Sequence, residues 1–170
     1  MQGRHVSGYL IAIEGNIVHE PYAVDQVELP GYLMKILLVE DSKLLRLATG
    51  RTLARAGYEM SFAGDGDEAL LMAGEALPDL ILLDMMLPKM SGLEVLKALK
   101  KDTATAAIPV AVLTGLSQIN ADRLLRDGAF AFLTKADLAH DQGAEPLLAA
   151  LRTIFKEISG VATVATTGPQ

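Results

Sequence analysis

The chain contains no cysteine and no tryptophan in its 170 residues, and it has only three histidines. Without thiols there is no disulfide, no thiolate metal centre and no cysteine nucleophile, although this leaves the redox compartment open. His5, His19 and His140 are scattered, form no metal-ligand spacing, and are read as ordinary structural residues. Basic side chains are also in deficit. Fifteen Lys and Arg against 21 Asp and Glu give a net charge of −6, which disfavours non-specific attraction to nucleic-acid phosphates or anionic lipid. Long hydrophobic runs are missing too, since none approaches the ~20 residues of a membrane-spanning helix. The N-terminal YLIAI stops at Glu14, too short for a secretory core. These absences point to a soluble, cytoplasmic protein with no membrane and no direct nucleic-acid partner.

What is present is a core. Hydrophobic residues make up 51% of the sequence, enough for a packed globule, and the length suits one ordinary domain. From Met34 onward, short apolar strands alternate with segments of helical period, the rhythm of a parallel α/β sheet covered by helices on both faces. Strands are expected at 34–39 (MKILLV), 58–63 (YEMSFA), 79–83 (DLILL), 109–113 (PVAVL) and 129–133 (AFAFL). The first helix is expected from Ser42 to Ala56, with Leu44, Leu45, Ala48, Leu53 and Ala56 inward and Gly57 as a left-handed cap. Asp65 with Glu68, and Ser91 with Glu94, open the second and third helices. The fourth runs over 117–127 and the fifth over 145–158. Residues 1–33 form an N-terminal extension, either a hairpin around Gly15-Asn16 or an unstructured upstream segment. Residues 159–170 read as a flexible C-terminal tail.

In such a sheet, ligands bind beyond the carboxyl ends of the strands. There the first strand delivers Glu40 and Asp41, the third Asp84, the fourth Thr114 and the fifth Lys135. Three carboxylates, a hydroxyl and an ammonium therefore converge on one edge. Three acids together are costly to ionise unless a cation sits among them. Hard oxygen donors suit Mg2+, or Mn2+, holding several waters. A divalent ion beside a carboxylate, an ammonium and a hydroxyl is equipped for phosphoryl transfer onto that carboxylate, with Asp84 attacking in line and Lys135 neutralising the phosphoryl oxygens. Asp84 is expected in a solvent-reachable pocket that Leu87-Pro88 and Gly92 keep open by turning the chain sharply away.

These pieces also carry a family resemblance. With ILLVEDS, LILLDMMLPKMSG, AVLTG and FLTK in order, residues 34–158 resemble the receiver domains of two-component response regulators. The resemblance implies a doubly wound, flavodoxin-like sheet of strand order 2-1-3-4-5, and a stand-alone switch similar to the chemotaxis regulators. It makes Asp84 the phosphoacceptor and Mg2+ the cofactor, held by Asp41, Asp84 and the Met86 main-chain carbonyl, with Glu40 helping through water. Thr114 would bond the phosphoryl oxygen, and Phe132 would turn inward as the second switch residue. The implied partners are a sensor histidine kinase or a histidine phosphotransfer protein, and a downstream protein target met on the face of the fourth helix, fifth strand and fifth helix. The chain would be a monomer or a phosphorylation-linked dimer, and no enzyme beyond its own phosphorylation and dephosphorylation.

Departures from the family pattern are Ala136, where a proline usually follows the lysine, and the apolar Met86 and Leu116, where some relatives orient the hydrolytic water. A basic stripe of Lys43, Arg46, Arg51 and Arg55 on the first helix is read as a docking face for an acidic partner. Two other functions compete with this reading. A haloacid dehalogenase-type phosphatase also uses a strand-end aspartate, but needs an acid two residues on, where Met86 stands. A phosphorylation-independent scaffold would leave the complete set of site residues without a use.

Overall fold

The computed structural model describes residues 11–13, 16–18, 33–115, 121–138 and 143–165. The three histidines, Leu116 and the expected start of the fourth helix lie outside these residues. A small antiparallel hairpin, β1 (Ile11–Ile13) with β2 (Asn16–Val18), precedes the main sheet and pairs Ile13 with Asn16. The main sheet comprises β3 (Lys35–Val39), β4 (Glu59–Ala63), β5 (Leu80–Asp84), β6 (Val110–Thr114) and β7 (Ala131–Thr134), all parallel, in the order β4-β3-β5-β6-β7. Counted within the sheet, this is 2-1-3-4-5. The helices are α1 (Lys43–Arg55), α2 (Gly66–Ala76), α3 (Gly92–Lys101), α4 (Ala121–Arg126) and α5 (Glu145–Ala165).

The central strands β3, β5 and β6 form because their residues are apolar on both faces, as a sheet buried on two sides requires, while the edge strand β4 mixes Glu59 and Ser61 among its apolar residues. Alternation then divides the core. Leu37, Val39, Ile81, Leu83, Val110 and Val112 pack with side chains of α2, α3 and α4. Ile36, Leu38, Leu80, Leu82, Ala111 and Leu113 pack with Leu53 of α1 and Leu147, Leu151 and Ile154 of α5. The caps follow the sequence closely. Ser91 and Glu94 form a reciprocal capping box on α3. Asp65 caps α2 by accepting from the Glu68 N–H, but the Glu68 carboxylate reaches one residue further back, to the Gly64 N–H at 2.7 Å. Gly57 takes φ 96° after α1, the left-handed geometry that favours glycine.

Several expectations give way. Leu44 is 81% exposed and Ala56 is also exposed; Thr49, Gly50 and Leu53 are the buried positions of α1. Thr49 and Gly50 meet the sheet alongside the expected Leu53, and the Phe62 ring of β4 lies over Gly50, where a Cβ would stand 2.5 Å from it. α5 continues to Ala165, past the expected end at 158. Lys135 opens a short 3-10 turn to Leu138, and every peptide bond among the described residues is trans, including that before Ala136.

Candidate functional site

Parallel register levels the strand ends. Val39 pairs with Leu83, Asp84 with Leu113, and Thr114 with Thr134, so Glu40, Asp84, Thr114 and Lys135 emerge along one edge. Asp84 and Thr114 are the last residues of their strands, so the sheet itself fixes their backbones. One carboxylate oxygen each from Glu40, Asp41 and Asp84 lie within 4.8 Å of one another. Lys135 Nζ stands 2.6 Å from Asp84 Oδ2 and 2.9 Å from Glu40 Oε2, bridging two acids that are 44 residues apart in sequence. The Met86 N–H donates to Asp84 Oδ1, and the Ser42 N–H to Glu40 Oε1. Three widely separated segments thus meet in one charged cluster.

Burial differs from the expectation. Asp84 is 1% exposed, not open to solvent, because the Lys135 ammonium covers one carboxylate oxygen and the Met86 amide the other. Glu40 is buried equally, whereas Asp41 is exposed and forms the open side of the cluster. Thr114 is buried beside them. Phe132 is buried, its ring packed in the α2–α4 side of the core. The Met86 side chain points outward and is 76% exposed.

The electrostatics follow from this packing. Burial pushes the Glu40 carboxyl above its ordinary value; Lys135 and the Ser42 N–H pull it back in part, and the Asp84 charge pushes it further up. Burial also works against the Lys135 ammonium, but Asp84 and Glu40 more than offset it and hold its pKa above the ordinary lysine value. The ammonium aims at Asp84, so Glu40 Oε2 receives its charge without an aligned hydrogen bond. A buried carboxylate oxygen in this condition favours a further positive partner.

The donor set therefore fits a hard divalent cation. Ligand oxygens about 2.1 Å from Mg2+ stand roughly 3 to 4 Å apart, within the spread of this triad. Sequence reasoning missed one participant. Arg46, read as part of a basic docking face on α1, turns inward to the Glu40 carbonyl. A main-chain acceptor leaves no mark in a residue pattern, so no sequence signal announced it.

The family model for the response regulator receiver domain matches residues 36–141. The chain belongs to that family. Among curated relatives it is 35% identical over 133 residues to the DNA-binding dual master transcriptional regulator RpaA of Synechocystis, covering 77% of this chain and 53% of RpaA. It is 45% identical over 104 residues to the response regulator PleD of Caulobacter vibrioides, covering 59% of this chain and 22% of PleD. The chain thus spans about half the length, or less, of these relatives. Among solved structures, the chemotaxis response regulator CheY4 of Vibrio cholerae superposes with a TM-score of 0.64 at 31% identity, over 72% of this chain and 99% of CheY4. This receiver domain of two-component signalling carries the five-stranded flavodoxin-like order implied by the sequence. No described helix is long and apolar enough to cross a membrane.

Proposed function

We propose that this receiver domain is a cytoplasmic phosphoryl-accepting switch with Asp84 as its acceptor. The observation that carries this reading is the Lys135 ammonium joined to Asp84 and Glu40, with the exposed Asp41 carboxylate within ligand reach of both. Asp41 and Asp84 would hold Mg2+ or Mn2+, with the Met86 carbonyl, and with Glu40 through water. When bound, the ion supplies charge neutralisation for the incoming phosphoryl oxygens.

The remaining work falls to the protein. A carboxylate oxygen of Asp84 attacks phosphorus in line. The bond from phosphorus to the donor's imidazole nitrogen breaks, its electron pair returns to the ring, and an acyl phosphate forms on Asp84. Lys135 already neutralises Asp84 and follows the growing negative charge onto the phosphoryl group. Thr114 donates its hydroxyl to a phosphoryl oxygen and draws the segment after β6 inward. Phe132 is buried before any such event, so its part is packing support for that movement rather than a large rotation of its ring.

The partner is a sensor histidine kinase or a histidine phosphotransfer protein. The exposed face of α1 supports this, with Leu44 and Leu47 beside the acidic cluster and Lys43, Arg51 and Arg55 around them. Such a face suits an acidic helical partner with an apolar strip near its histidine. A dehalogenase-type phosphatase is disfavoured by the thioether at Met86, which cannot serve as a general acid.

The reading is tested with a small phosphodonor, Mg2+ and intact-mass measurement of the full chain. The wild type should gain one phosphoryl group and Asp84→Ala none. Equal labelling of both would overturn the assignment of Asp84. Failure of the wild type to label would favour the scaffold reading.

A further inference from the structure

Arg46 departs from the basic face on which the sequence placed it. Its Nη1 donates to the main-chain carbonyl of Glu40 at 2.6 Å. The guanidinium lies over Gly64, where a Cβ would stand 3.0 Å from Nη1. Gly64 is itself held by the Glu68 carboxylate, and the Glu40 N–H donates to the Ala63 carbonyl at 3.1 Å. Arg46 therefore pins the turn after β3 against the turn after β4.

The carbonyl it holds belongs to the peptide plane between Glu40 and Asp41. That plane sets the direction in which the Asp41 Cα–Cβ bond leaves the backbone. Glu40 and Asp84 have other restraints, each being buried, bonded to a main-chain N–H and paired with Lys135. Asp41 is the exposed member of the triad, and its placement rests on the backbone that carries it.

We propose that Arg46 is a positioning residue for the cation site, fixing the Glu40–Asp41 peptide so that the Asp41 carboxylate stays within ligand reach of Glu40 and Asp84. This rests on the reading of the triad as a cation site. Arginine suits the task because its planar fork can donate to the carbonyl while its body lies flat over a glycine peptide. The sign of its effect separates positioning from field. A nearby positive charge repels a divalent ion, so an arginine acting by charge would tighten cation binding when removed. An arginine acting by position would weaken it.

Calorimetric titration of Mg2+ into the full chain decides between these. Arg46→Met should weaken Mg2+ binding by about tenfold, the lower end for loss of a residue that orients a metal ligand. Gly64→Ala, which keeps the arginine but nudges it off the carbonyl, should weaken binding by about twofold on the same logic. In Arg46→Met, the Mg2+ concentration for half-maximal phosphoryl uptake should rise by the same factor, with uptake at saturating Mg2+ unchanged. Wild-type or tighter affinity in Arg46→Met overturns the proposal, as does a lowered plateau at unchanged half-saturation. Should Arg46→Met lose its circular dichroism, Gly64→Ala decides, and wild-type affinity there overturns it. If the wild type takes up no Mg2+, or Asp41→Asn leaves the titration unaltered, the cation-site reading itself has failed.

Discussion

Two lysines in this protein are partly buried and behave in opposite ways. Lys100, on α3, donates to the carbonyls of Ala106 and Ile108 at 3.0 and 2.7 Å, and its stem packs beside Gly128. Neutral carbonyls satisfy its hydrogens but not its charge, so burial lowers its pKa below the ordinary lysine value. Burial works against the charge of Lys135 as well, yet Asp84 and Glu40 reverse the outcome and its pKa is raised. Partner charge separates a lysine that latches a loop from one that organises a site.

The contrast breaks most visibly in chemistry. Lys135→Met should slow phosphoryl uptake by roughly 100-fold or more, the scale for losing one preorganised donor to developing charge. Lys100→Met should leave uptake at the wild-type rate, and initial rates from intact-mass time courses compare the two. A similar loss in both would erase the distinction.

The rim of the site offers the next test. Where Lys135 supplies charge, Met86 is exposed and apolar, and Leu116 is read as its companion. Neither can orient water, so the acyl phosphate should be long-lived. Met86→Asn with Leu116→Glu should speed phosphate loss by about tenfold, below the range of full general-base catalysis. Timing the return of the unphosphorylated mass checks this, and an unchanged rate discards it.

Stability sharpens the other half of the comparison. Lys100→Met should cost about 1 to 2 kcal/mol in urea unfolding, because two loop carbonyls lose their donor. The smallest effect is in pH dependence, and there the two lysines have opposite signs. Lys135 has a folded pKa above its unfolded value of 10.5, so its stabilisation is complete below that pH and is lost as pH rises through the folded value. Lys100 has a folded pKa below 10.5, so its penalty is present at neutral pH and is relieved as pH rises from the folded value toward 10.5. Unfolding midpoints of Lys135→Met should therefore fall less than wild type above that pH. Those of Lys100→Met should lack the wild type's relative gain just below it.

The distinction between the lysines was half legible in the sequence. Lys135 declared itself by ending an apolar strand level with Asp84, since parallel register carries a strand-end position straight to its neighbour. Lys100 drew no notice, because its partners are main-chain carbonyls, which every residue carries. The same blindness hid Arg46. The central strands β3, β5 and β6 were readable because both of their faces are buried and their residues are almost continuously apolar, whereas the edge strand β4 keeps Glu59 and Phe62 exposed and carries a weaker signal. The phase of α1 was not: counting leucines placed Leu44 inward, whereas the sheet accepts Thr49 and Gly50 where space is short. The burial of Asp84 was not read, although Lys135 was placed beside it, because its other carboxylate oxygen is covered by the Met86 main-chain N–H, a donor that leaves no mark in a residue pattern.

Gly92, the first residue of α3, sits so near the strand end that a Cβ there would collide with the Asp84 carbonyl oxygen, and its N–H is bonded to Met85. The helix start is thus a backstop directly behind Asp84. On the function proposed above, bulk and charge added to that side chain would meet a backbone that cannot recoil toward α3, leaving the sheet edge on the Thr114 side as the open direction for the disturbance.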